Sequence, residues 1–380
     1  MADTLEYDDM KRVIFLDYLR VIAIFMVLVI HSTEPYYLGG DGTYVATRAD
    51  GAWVTLFEII CRACVPLFVM ASAYLLFPTT KTFGEFLPRR LLKIGLPFLV
   101  WCGIYTAAYG GEWGRVLFNF PLATGGHLWF VPMLFGLYLL MPLMSPWAGK
   151  ASEKELRTVI LVWLATTLIP FARALYAALY GNGWGHLFGE ANFDNIPFIW
   201  GECGWNQFGT FQYVSGFVGY MLMGLYFRKF ASTWTIRDLV HKALPAAILG
   251  AAIVIAGFGN KIICAHAYPL NASYSWAVEL ETSIEYCSLG VVALAFAWFS
   301  LICNICTGEG FFYQRVIRPL AEASFGIYLI HILLLVPISD ALKPLLPTPI
   351  AILCIALASF AGSSLIVLFI KRIPLLKRLV

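Results

Sequence analysis

Arg20 and His31 stand eleven positions apart inside one apolar stretch, IFLDYLRVIAIFMVLVIHS. A neutral imidazole is suited to taking a proton from a hydroxyl near neutral pH. A guanidinium can grip phosphate or stabilise a developing oxyanion. On a helix rising ~1.5 Å per residue the two lie about 16 Å apart along the axis, and eleven steps of ~100° leave them only about 20° out of line. A charged group in hydrocarbon costs about 2.5–3.5 kcal/mol on insertion scales, so a helix facing only lipid would carry neither residue. The pair predicts a helix forming the wall of a polar passage across much of a bilayer.

Other polar residues sit at similar depth. Asp17, three residues before Arg20, is placed to pair with it. Glu34 lies three residues beyond His31 on the same face. It either orients the imidazole and raises its basicity, or lies on the outer surface beside Pro35. Glu58 and Arg62, four apart, have the favourable orientation for an ion pair within a helix, with structural and functional roles both open. Arg90 and Lys93 share a face where FLPRRLLKIGLP opens the third apolar helix. That lip suits phosphate capture, or contact with anionic lipid headgroups. His127 begins GHLWFVPMLFGLYLLMP at the outer mouth of a fourth helix, and His331 lies within SFGIYLIHILLLVP. A membrane histidine such as His331 either bridges helices or works on a ligand.

Composition places the chain in a membrane. It is 60% hydrophobic and 13% charged, against about 25% charged in soluble domains. Aromatics make up 16%, many of them near segment ends, as interfacial belts require. Ten segments approach the ~20 apolar residues of a crossing: 13–34, 53–77, 90–110, 127–147, 157–177, 211–228, 243–260, 285–303, 323–341 and 349–370. The predicted fold is all-α, a single membrane-embedded domain over residues 1–380 with about ten transmembrane helices. With both termini in the cytoplasm, nineteen of the 26 lysines and arginines fall inside, the positive-inside bias. Larger outer loops are then expected near 178–210 and 260–284, with shorter ones near 38–52 and 111–126. The first is rich in Gly, Trp, Asn and carboxylates, which suits sugar binding or interfacial anchoring.

The nine cysteines give no disulfide framework, and the Cys61/Cys64 and Cys303/Cys306 pairs lack further ligands, so no metal is expected. There is no phosphate-binding loop, dinucleotide fingerprint or HExxH. The net charge of +3 is topogenic and gives no reason to expect nucleic acid.

The chain resembles the acyltransferase-3 family of integral membrane acyltransferases, which includes bacterial enzymes that O-acylate surface polysaccharides and related glycans. LDYLRVIAIFMVLVIHS carries the family's spacing of a basic residue and a histidine at Arg20 and His31. RACVPLFVMASAYLLF matches the second-helix pattern with Ser72, although Ala73 stands where glycine is usual. FLPRRLLKI matches the third-helix arginine pair, with Arg90 kept and Lys93 replacing the second arginine. HLWFVPMLFGLYLLMPLM and ASFGIYLIHI place Trp129, Tyr328 and His331. The resemblance covers roughly 13–370.

It implies acetyl-CoA or another acyl-CoA as donor and a glycan or lipid-linked sugar as acceptor, with a multi-pass site in a bacterial inner membrane. His31, Arg20 and Glu34 are then the catalytic candidates. Arg90, Lys93, Trp129, Tyr328, His331, Ser72, Glu58 and Arg62 are candidates for binding substrate. The residues leave open direct transfer against an acyl-histidine intermediate, and give no oligomeric state. A transporter or flippase exporting a glycan or lipid intermediate is the alternative for a chain of many helices with buried charges.

Overall fold

The computed structural model describes residues 12–37, 47–110, 126–168, 216–231, 234–264, 283–374 and 376–380. Among them every regular element is helical. The principal helices are α1 (Ile14–Thr33), α2 (Arg48–Cys61), α3 (Cys64–Leu76), α4 (Phe83–Arg90), α5 (Leu96–Tyr109) and α6 (Phe130–Lys150). They are followed by α7 (Glu153–Thr166), α8 (Val218–Phe230), α9 (Leu244–Val254), α10 (Leu289–Ile305), α11 (Arg318–Leu342) and α12 (Thr348–Ile370). The expected outer loop near 178–210 lies outside the described residues, as do nearly all of 111–126 and most of 38–52 and 260–284.

Seven helical stretches are long and apolar enough to cross a membrane: Ile14–Tyr36, Arg48–Leu76, Phe83–Tyr109, Gly126–Lys150, Ile236–Gly259, Tyr313–Leu342 and Thr348–Ile370. The expected count of about ten is therefore not reached among the described residues. The other three segments are helical but short. α10 has 17 residues, about 26 Å at ~1.5 Å each, against ~30 Å of hydrocarbon. α7 and α8 have 14 and 13 residues, and the stretches that would lengthen them, 169–177 and 211–215, lie outside the description.

Local signals explain where helices start. Ser152 and Glu155 cap α7 reciprocally, and Thr82 and Glu85 do the same for α4. Three helices contain a widened π turn just ahead of a proline: Leu91–Gly95 before Pro97, Leu239–Ala243 before Pro245, and Tyr313–Ile317 before Pro319. A proline ring clashes with the carbonyl four residues earlier. Those carbonyls belong to Lys93, His241 and Arg315, each inside the wide turn. The backbone relieves the clash by widening.

α1 is the hub. It packs against α2, α3, α10, α11 and α12, and Leu19, Ala23, Ile24 and Leu28 are fully buried. Protein, not lipid, surrounds most of the helix that carries Arg20 and His31. α3 and α8 approach closely at Gly224, where a Cβ would come within 2.5 Å of the Met70 carbonyl and 3.0 Å of the Ala73 Cβ. The alanine that replaces the expected glycine at 73 thus faces a glycine across the interface.

Candidate active site

One cavity of about 1350 Å³ is lined by both Arg20 and His31. It exceeds the ~300–1,000 Å³ of a compact small-molecule pocket, so it suits an extended ligand. Its lining holds ten lysines and arginines against four aspartates and glutamates. Since α1 separates Arg20 from His31 by about 16 Å, the cavity has a cationic end and an imidazole end.

At the imidazole end, His31 Nδ1 lies 2.8 Å from Glu34 Oε2. A carboxylate only accepts, so Nδ1 carries the proton of this contact, and in the neutral ring Nε2 keeps the lone pair. Glu34 itself begins a short turn, Glu34–Tyr36, fixed by Lys343, whose ammonium donates to the Pro35 carbonyl at 2.6 Å. Glu34 thus stands within hydrogen-bond reach of the imidazole, the placement an orienting role would need.

Two more imidazoles join His31. The His331 ring is centred 5.2 Å from that of His31, the His127 ring 6.5 Å from it, and His127 and His331 are 5.1 Å apart. His331 Nδ1 donates to the Tyr328 carbonyl at 2.6 Å. The Tyr328 hydroxyl donates to the His127 carbonyl at 2.7 Å, which fixes the turn Gly126–Trp129 ahead of α6. The Nε2 atoms of His127 and His331 are both buried without a partner. His127 lines the cavity, whereas His331 sits behind it, fully buried. No group of three or more histidines, cysteines and carboxylates among the described residues is arranged to hold a metal ion.

At the other end, Asp17 anchors the base of α1. It accepts from Arg12 at 2.5 Å and from the Tyr313 hydroxyl at 2.7 Å, and lies 3.6 Å from Arg20, the expected pair. Arg90 is half-buried, its guanidinium 5.4 Å from the Phe86 ring and 6.0 Å from that of Tyr138, with Nε buried and unpartnered. Lys93, Arg318, Lys371 and Arg378 line the same region. Burial together with Lys93 and Arg12 pushes the Lys371 ammonium below its ordinary value, against the opposing pull of Glu322. The basic groups outnumber the acidic ones here, so this end of the cavity is net positive.

The remaining sequence candidates divide. Ser72, Trp129 and Tyr328 line the cavity. Trp129 stands in an aromatic wall with Tyr286 at 5.5 Å and Phe217 at 5.8 Å. Glu58 and Arg62 do not line it. They form a buried pair at 3.5 Å, in which Glu58 also accepts from Thr33 at 2.8 Å and Arg62 donates to the Ile284 carbonyl at 2.7 Å. That arrangement ties α1, α2 and the chain before α10 together. His127 was not among the predicted site residues. Its sequence signal was its place two residues ahead of Trp129 in HLWF.

No curated protein and no solved structure matches the chain. The acyltransferase-3 family model, an acyltransferase domain, matches residues 13–368, nearly the whole length, and includes every site residue described above except Arg12, Lys371 and Arg378. With its apolar helices this makes the chain a multi-pass membrane member of the acyltransferase-3 family.

Proposed function

We propose that this protein is a membrane O-acyltransferase that moves an acyl group, acetyl in the simplest case, from acyl-CoA to a hydroxyl of a cell-envelope glycan or lipid-linked sugar. The observation that carries the reading is the single cavity running from a cationic end to the His31–Glu34 pair. In this reading the cationic end faces the cytoplasm with both termini, in keeping with the positive-inside bias. In a bacterium the membrane is the inner one. Arg90, Lys93 and their neighbours hold the phosphates of the donor, and Arg20 steadies its arm on the way to His31. The thioester then meets an imidazole whose Nδ1 proton is committed to Glu34 and whose Nε2 accepts a proton or attacks carbon. Trp129 offers a flat face to a sugar ring at the same end.

The test is reconstitution of the full chain in vesicles with labelled acetyl-CoA and an extract of envelope lipid and glycan. Label is expected in an alkali-labile ester with the wild type and absent with His31→Ala. Transfer by His31→Ala at the wild-type rate, or failure of the wild type to cleave acetyl-CoA with any extract, rejects the proposal.

A further inference from the structure

One imidazole is enough for direct transfer. His31 Nε2 would take the proton from the acceptor hydroxyl and return it to the departing thiolate. A second imidazole, His127, nevertheless lines the same cavity with its ring 6.5 Å from that of His31. It is only 8% exposed, and its Nε2 has no donor among the described residues. The Tyr328 hydroxyl fixes its main chain, and Tyr105 packs against the ring at 4.8 Å. A buried nitrogen held this firmly and left unpaired calls for a ligand that pairs with it.

We propose that His127 is a second catalytic base and that transfer proceeds in two steps, with His31 carrying the acyl group between them. The inference rests on the acyltransferase reading. In the first step His31 Nε2 forms a bond to the thioester carbonyl carbon and the carbon–sulfur bond breaks, its electron pair leaving on sulfur. The resulting acyl-imidazolium is steadied by Glu34, which still accepts the Nδ1 proton. His31 now has no lone pair to offer. In the second step His127 Nε2 removes the acceptor hydroxyl proton as the oxygen attacks the acyl carbon, and the nitrogen–carbon bond breaks back to His31. The departing thiolate takes a proton from water, and His127 returns its own to water before the next cycle. Over the cycle the acyl group moves from sulfur to oxygen and one proton from oxygen to sulfur.

The experiment uses purified full-length wild type, His127→Gln and His31→Gln with radiolabelled acetyl-CoA, water as the weak nucleophile and hydroxylamine as one that needs no base. His127→Gln is expected to release one CoA per protein and to retain label, a result that also shows the variant is folded. Water should discharge that label at least about 100-fold more slowly than in the wild type. Hydroxylamine should discharge both at similar rates, and His31→Gln should take no label. Discharge by water at the wild-type rate, or no CoA release from His127→Gln, overturns the role of His127. A wild type that cleaves acetyl-CoA but never carries label overturns the two-step route and leaves the acyltransferase reading standing. A wild type that never cleaves acetyl-CoA overturns the reading itself.

Discussion

Glu34, part-buried, and Glu58, fully buried, both lie near the His31 end of α1, yet they do different work. Glu34 bonds the cavity-lining His31, whereas Glu58 is enclosed with Arg62 away from the cavity. Glu34→Gln keeps the shape but weakens the hold on the Nδ1 proton, so kcat should fall about 100-fold with little change in KM, read from steady-state transfer. Glu58→Ala takes away the carboxylate 3.5 Å from the buried Arg62. It should cost about 3–5 kcal/mol, measured by unfolding in detergent, with the activity of the surviving folded protein retained. Arg90→Ala should raise KM for acyl-CoA by about tenfold or more and leave the acceptor KM alone, since a hydrogen bond to a charged group contributes about 1.5–3 kcal/mol. The Asp17–Arg20 and His31–Glu34 pairings were legible in the sequence because both lie within one turn of one helix. The gathering of His127 and His331 around His31 was not, because it depends on how α1, α6 and α11 pack, and no local spacing encodes that.

At the scale of elements, proline and glycine set the geometry that the site needs. The wide turn Leu91–Gly95 inserts extra backbone between Arg90 and the rest of α5, and Pro97 is its physical cause. Pro97→Ala removes the clash, so the turn can relax to an ordinary α-helical path. Losing one residue of offset would rotate Arg90 by about 100° relative to α5. The expected outcome is a higher KM for the donor with kcat nearly unchanged. Gly219 lies so close to Trp163 that a Cβ would stand 1.8 Å from the indole Cδ2. Gly219→Ala must displace that ring and break its 2.7 Å bond to the Gly216 carbonyl, with a loss of stability of about 1–3 kcal/mol. The long helices were readable from apolar runs alone. Their wide turns were not, since proline marks where a ladder is disturbed but leaves open whether it kinks, ends or widens.

Over the whole molecule, ten basic side chains against four acidic ones line a cavity walled by apolar helices, where charge is poorly screened. The long-range attraction that draws an anionic donor to the cavity mouth runs through solvent and is screened there, so KM for acyl-CoA should rise several-fold between about 50 and about 300 mM salt, while kcat at saturation stays level. The same excess of positive charge would also disfavour the passage of cations. A water-filled hole through an energised membrane is a short circuit for protons and sodium. Fixed arginines and lysines along its wall repel both, as they do in pores that conduct anions or neutral solutes. The charge that invites a polyanionic donor would thus also insulate the bilayer, and vesicles containing the protein should hold a pH gradient as long as empty ones do.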